Sequence, residues 1–97
     1  MTAKMKKRIS CQDKYEAQKL ASLIYIKENN EIFITGILEI VENELVISLK
    51  DKSAHSILLK DESEAESFAD FIQSIIENTN RVVDIKVIEN IVEMTKK

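Results

Sequence analysis

Ninety-seven residues, 44% of them hydrophobic and 32% charged, suffice for one folded domain with its own core and leave no room for two. The single cysteine, Cys11, excludes an intrachain disulfide, and no apolar run approaches the ~18 residues of a membrane span. Net charge is −3, but six of the 14 cations sit at the ends (Lys4, Lys6, Lys7, Arg8, Lys96 and Lys97), so the body carries 8 cations against 17 carboxylates, a net of −9. An acidic body repels nucleic-acid backbone.

Residues 1–7 read as a flexible basic arm. No apolar run follows it, so it does not read as a signal peptide, and with one unpaired thiol the expected compartment is the cytoplasm. A first strand places Ile9 and Cys11 on its inward side. A first helix is expected over about 13–28. Asp13 is its N-cap with Glu16 at the capping-box spacing, and Ala17, Leu20, Ala21 and Ile24 recur at i, i+3, i+4 and i+7. Asn29-Asn30 can turn left-handed and end it.

The stretch EIFITGILEIV (31–41) is rich in strand formers, with apolar residues on both alternate sets. That predicts a central strand or one with a second buried face. Gly36, the only glycine, marks a bulge or a close backbone approach within it. Asn43 predicts a tight hairpin into 44–50, with Leu45, Ile47 and Leu49 inward and Val46, Ser48 and Lys50 outward. A turn at 51–55, holding His55, leads to a strand at 56–60.

The second helix is expected over 62–78. Asp61 caps it, with Glu64 three residues on, and its stripe is Ala65, Phe68, Ala69, Ile72, Ile75 and Ile76. Asn78 and Asn80 end it. Residues 81–88 alternate again, with Val83, Ile85 and Val87 on one face. Glu89-Asn90 then turns into a last short strand at 91–95.

The segment SILLKDESEAESFADFI (56–72) repeats RISCQDKYEAQKLASLI (8–24) at an offset of 48, with six identities in seventeen: Ile9, Asp13, Glu16, Ala17, Ala21 and Ile24 against Ile57, Asp61, Glu64, Ala65, Ala69 and Ile72. KENNEIFI (27–34) aligns with IENTNRVV (76–83) after a shift of one. IVENELVISLK (40–50) aligns with VIENIVEMTKK (87–97) after a deletion of one. The expected architecture is therefore a single α+β domain over 1–97, built from tandem β-α-β-β repeats at about 8–50 and 56–97. It is a two-layer sandwich: a mostly antiparallel sheet of 5–6 strands with two helices on one face.

The sequence argues against catalysis. His55 is the only histidine and has no nucleophile or orienting group near it in sequence. Cys11 on an inward strand face reads as a small hydrophobe. One Cys and one His cannot make a structural zinc site, no calcium loop is present, and a single glycine builds no phosphate cradle. Phe68 and Phe71 lie on or beside the second helix's stripe and read as core rather than as a base-stacking platform. The expectation is a non-enzyme without cofactor or metal.

Surface remains. No cation occurs from 61 to 80, where Asp61, Glu62, Glu64, Glu66, Asp70 and Glu77 gather. The plain reading of such a face is solvation. The functional one is docking onto a basic protein, through Glu62, Glu66, Asp70 and Glu77. Strand 31–41 with outward Val46, Val82 and Ile88 makes the far side of the sheet apolar, and a homodimer through that face or an edge strand would cover it. The sequence thus reads as a small non-catalytic interaction module (adaptor, inhibitor or accessory subunit) that is homodimeric, with an acidic helix as docking surface and no membrane contact. The alternatives are nucleic-acid binding through Lys4, Lys6, Lys7 and Arg8, which is not favoured, or an acidic nucleic-acid mimic.

Overall fold

The computed structural model describes residues 5–26, 31–78 and 82–96. Two helices are set among antiparallel strands: β1 (Met5–Ser10), α1 (Lys14–Ile24), β2 (Tyr25–Ile26), β3 (Glu31–Ile32), β4 (Ile34–Val41), β5 (Glu44–Leu49), β6 (Ala54–Leu58), α2 (Glu62–Asn78), β7 (Val82–Ile88) and β8 (Ile91–Lys96). The class is α+β, as the periodicities require.

The strands do not form one sheet. They form two three-stranded antiparallel sheets, ordered β1-β8-β7 and β4-β5-β6, and a two-stranded β2-β3 ladder. Each larger sheet takes two strands from one half of the chain and one from the other. Between the sheets, the ends of β1 and β6 meet in the antiparallel bridge Cys11↔Leu59. There the Gln12 N–H donates to the Leu58 carbonyl (3.3 Å) and the Lys60 N–H to the Ser10 carbonyl (2.9 Å). The contact stays this short because α1 and α2 begin at Lys14 and Glu62 and carry the chain away.

Each helix start is capped as its sequence implies. The Glu16 and Glu64 N–H groups donate to Asp13 Oδ1 and Asp61 Oδ1, both at 2.9 Å. The second helix runs 62–78 as expected. The first stops at Ile24, four residues short of its expected end. Tyr25 and Ile26 leave it to pair with Ile32 and Glu31, a conformation that suits aromatic and β-branched residues better than a helix end. The Asn29-Asn30 and Asn80 stops lie outside the described residues. α1 packs on β7 and β8 and reaches β6; α2 packs on β4 and β5 and reaches β1. One core joins them, with Phe68, Ile9, Leu20, Ile24, Leu45, Ile47, Ile57 and Met94 all fully buried.

β4 departs most from expectation. It is an edge strand, not a central one, and two β-bulges interrupt it. Its partners across β5 are Ile34↔Leu49, Ile37↔Ile47 and Ile40↔Leu45, which leaves Thr35 and Leu38 as the extra residues. Two bulges change the period from two to three, so Ile34, Ile37 and Ile40 share the side of the buried Leu49, Ile47 and Leu45. This is why both alternate sets look apolar. The first bulge is held by Ser48: its hydroxyl lies 2.9 Å from Thr35 Oγ1, and the Thr35 hydroxyl is 3.2 Å from the Ser48 carbonyl. A Cβ at Gly36 would meet Ser48 Oγ at an ordinary 3.5 Å, so glycine here is not required by space.

Two of the hairpins, β4-β5 and β7-β8, turn in two residues, Glu42-Asn43 and Glu89-Asn90. The first residue of each is left-handed (φ 54° and 55°), the arrangement of a type II′ turn. His55 sits in β6 opposite Ile47, not in a turn, and is exposed. Val46, expected outward and exposed, is half-buried, whereas Ile76, expected on the core stripe of α2, is exposed.

Candidate functional site

The residues with chemical potential are scattered. Cys11 is fully buried. Burial pushes its thiol up to about 12, and the nearby Glu16, Glu64 and Asp13 carboxylates add to the shift. No thiolate nucleophile forms there near neutrality. The Asp51 carboxylate is held below its ordinary range, chiefly by the Ser53 hydroxyl and then by the Ser53 N–H, in an exposed turn. His55 is remote in sequence and sheet position from Cys11. Among the described residues, no three or more His, Cys, Asp and Glu side chains are placed to hold a metal ion.

Two carboxylates of the expected acidic set are structural. Asp61 caps α2, and Glu64 Oε2 accepts the Ser10 N–H of β1 (3.1 Å). Glu16 does the same in the other half, accepting the Leu58 N–H of β6 at 3.1 Å. The match extends further. The Asn43 side-chain amide donates to the Leu59 carbonyl (2.8 Å), and the Leu59 N–H donates to the Asn43 carbonyl. The Asn90 amide donates to the Cys11 carbonyl (2.9 Å), and the Cys11 N–H to the Asn90 carbonyl.

The remaining acidic residues of α2 make a surface. Glu62, Glu66 and Asp70 follow at intervals of four, and Gln73 and Glu77 continue the row; all are exposed. The Gln73 side-chain amide donates to Glu77 Oε1 (2.8 Å). Beside this row lies an open groove of ≈ 450 Å³ between α2 and β4, lined by Ala69, Asp70 and Gln73 on one wall and Ile37, Leu38, Glu39 and Ile40 on the other. Asp70 belongs to both features; Glu62, Glu66 and Glu77 lie outside the groove. The β4 wall is accessible and apolar apart from the exposed Glu39, with Leu38 63% and Ile40 43% exposed, and Val41 beside them at 50%.

The basic run is placed differently from a free arm. From Met5 onward it is strand β1. Arg8 stands opposite Glu93, with Arg8 Nε 3.3 Å and Lys6 Nζ 3.6 Å from that carboxylate, while Lys7 is half-buried. Lys4 lies outside the described residues. No helix is long and apolar enough to cross a membrane among the described residues.

Sequence reasoning missed the β4 wall of the groove. An apolar run on both alternate sets fits a central strand as well as a bulged edge strand, and only the β4–β5 register separates the two. The chain matches no protein-family model, no curated protein and no solved structure.

Proposed function

We propose that this protein is a non-catalytic interaction module, homodimeric, whose docking surface is the acidic row of α2 with the adjoining β4 groove. One observation carries the reading: Asp70 and Gln73 stand at the mouth of a groove whose other wall is exposed Leu38 and Ile40. An apolar floor under a carboxylate rim suits an amphipathic segment with basic residues along one side. Coulomb attraction would speed the encounter, and the apolar wall would hold the complex once formed. The reading makes the protein an adaptor, inhibitor or accessory subunit, working in the cytoplasm on a protein partner.

The same reading extends to architecture. The two halves are copies of one β-α-β-β unit, joined as a two-layer sandwich with both helices on one face. Support comes from the paired bonds: Glu16 to Leu58 and Glu64 to Ser10, at matched positions 48 apart, and the Asn43 and Asn90 braces 47 apart.

The test is a heteronuclear NMR titration with a synthetic peptide alternating Lys and Leu at helical spacing, run at low and high salt. The expected result is shifts concentrated at Leu38–Ile40, Asp70 and Gln73. They should be lost in the double variant E66K/D70K and weakened by salt. Shifts absent, or confined to other faces, would overturn the reading.

A further inference from the structure

Every three-stranded sheet has two free edges, and an unguarded edge is a template for another strand. Among the described residues three of the four edges here are blocked. β1 carries Lys6, Lys7 and Arg8, and Glu64 takes the N–H of its last residue, Ser10. β6 is five residues long; Glu16 takes its Leu58 N–H, and Lys19 Nζ donates to its Ser56 carbonyl at 2.7 Å. β4 is broken by its two bulges. Among the described residues β7 is the least guarded: it has one register shift, between Val82 and Asp84, and its two exposed charges, Asp84 and Lys86, are of opposite sign. Its pairing to β8 is regular from Asp84 to Ile88, and β3 approaches it but forms its ladder with β2.

The tight loop after β7 fixes which of its groups are free. A two-residue hairpin makes Ile88↔Ile91 a hydrogen-bonded pair. By alternation Lys86 and Asp84 also aim their N–H and C=O groups at β8. Those of Ile85 and Val87 therefore face outward. The side chains of Ile85 and Val87 pack against the core, so Asp84, Lys86 and Ile88 share the opposite face, and all three are exposed. Among the described residues neither Asp84 nor Lys86 has an ion-pair partner.

This edge is complementary to itself. Set a second copy of β7 antiparallel, with the twofold axis at Ile85. Ile85 then meets Ile85 of the second copy as a hydrogen-bonded pair, using the outward groups. Asp84 of each copy stands opposite Lys86 of the other, in the closer non-hydrogen-bonded position. Moving the axis to Lys86 would put like charges face to face, which disfavours that register. We propose that two copies of this chain associate through β7 in the Ile85-centred register, joining two β1-β8-β7 sheets into one of six strands. The proposal rests on the homodimeric reading above and states where the copies meet.

Sedimentation equilibrium of charge variants tests it. D84K makes the outer face of β7 all basic, and K86D makes it all acidic. Each alone is expected to weaken self-association about tenfold or more, because two attractive pairs become repulsive. Mixing the two variants is expected to restore a dimer, since each supplies the other's complement. D84K faces Thr95 across the β8 ladder, so its folded monomer keeps the parent's thermal transition. A parent dimer unaffected by either change would place the interface elsewhere: the homodimeric reading would stand and this proposal would fall. Two variants that weaken but do not recover on mixing would also overturn the register. A parent that stays monomeric at every concentration would overturn both.

Discussion

Glu16 and Glu64 show how a single residue joins the two sheets. Each sits in the first turn of its helix, where the helix dipole favours a carboxylate, and each satisfies a strand N–H in the other half of the chain. Removing either acceptor strands a half-buried donor. Glu16→Ala and Glu64→Ala are each expected to cost about 1–2 kcal/mol, measured by urea denaturation, with the Gln variants costing less because they keep an acceptor oxygen. Closely matched losses at the two positions would reflect their matched geometry. Cys11 lies between these carboxylates and titrates accordingly. Its thiol sits at about 12 in the folded chain against an ordinary 9.0. The unfolded chain therefore releases the thiol proton first as pH rises. This contribution to stability is complete below pH 9 and disappears towards pH 12. Alkylation of native Cys11 by iodoacetamide at pH 8 should be undetectable and should become rapid in denaturant. Rapid labelling of the native chain would contradict its burial.

The elements divide into those legible in the sequence and those that were not. The second helix was read to its ends because Asp61 caps it and its stripe, from Ala65 to Ile75, keeps a 3.6-residue period. β5 was legible for the same kind of reason, since Leu45, Ile47 and Leu49 alternate and all three are buried. The period failed where geometry is non-local. No pattern within 34–41 says that two bulges put Ile34, Ile37 and Ile40 on one side. No residue around Ile24 says that β2 will find β3. Half of the candidate site, the acidic row on α2, was legible as a run without cations, but its apolar wall needed the bulged strand. The hairpins offer an element-scale test. Glu42 and Glu89 hold positive φ at the place where a type II′ turn prefers glycine. Glu42→Gly and Glu89→Gly are each expected to stabilise by about 0.5–1 kcal/mol, additively, in thermal melts.

At the scale of the whole molecule, strand exchange between halves determines how the chain unfolds. β1 needs β8, and β6 needs β5, so neither half owns a complete three-stranded sheet. The single sheet of 5–6 strands expected from the alternation of apolar residues is instead split into two three-stranded sheets, because pairing order is set by which strand ends meet and not by pattern along any one strand. Far-UV circular dichroism and tyrosine fluorescence should report one coincident unfolding transition. Fragments 1–51 and 52–97 should be unfolded separately and gain structure on mixing. An independently folded half would contradict the exchange.

Assembly is the central claim, and the mass of the unmodified protein in solution tests it most directly. Light scattering at low and high salt should return twice the 11.1 kDa of the chain in both, because outward backbone groups and apolar edge surface resist screening better than the Asp84–Lys86 pairs do. A mass of one chain at every concentration and salt would contradict the account, leaving a monomer with a free β7 edge.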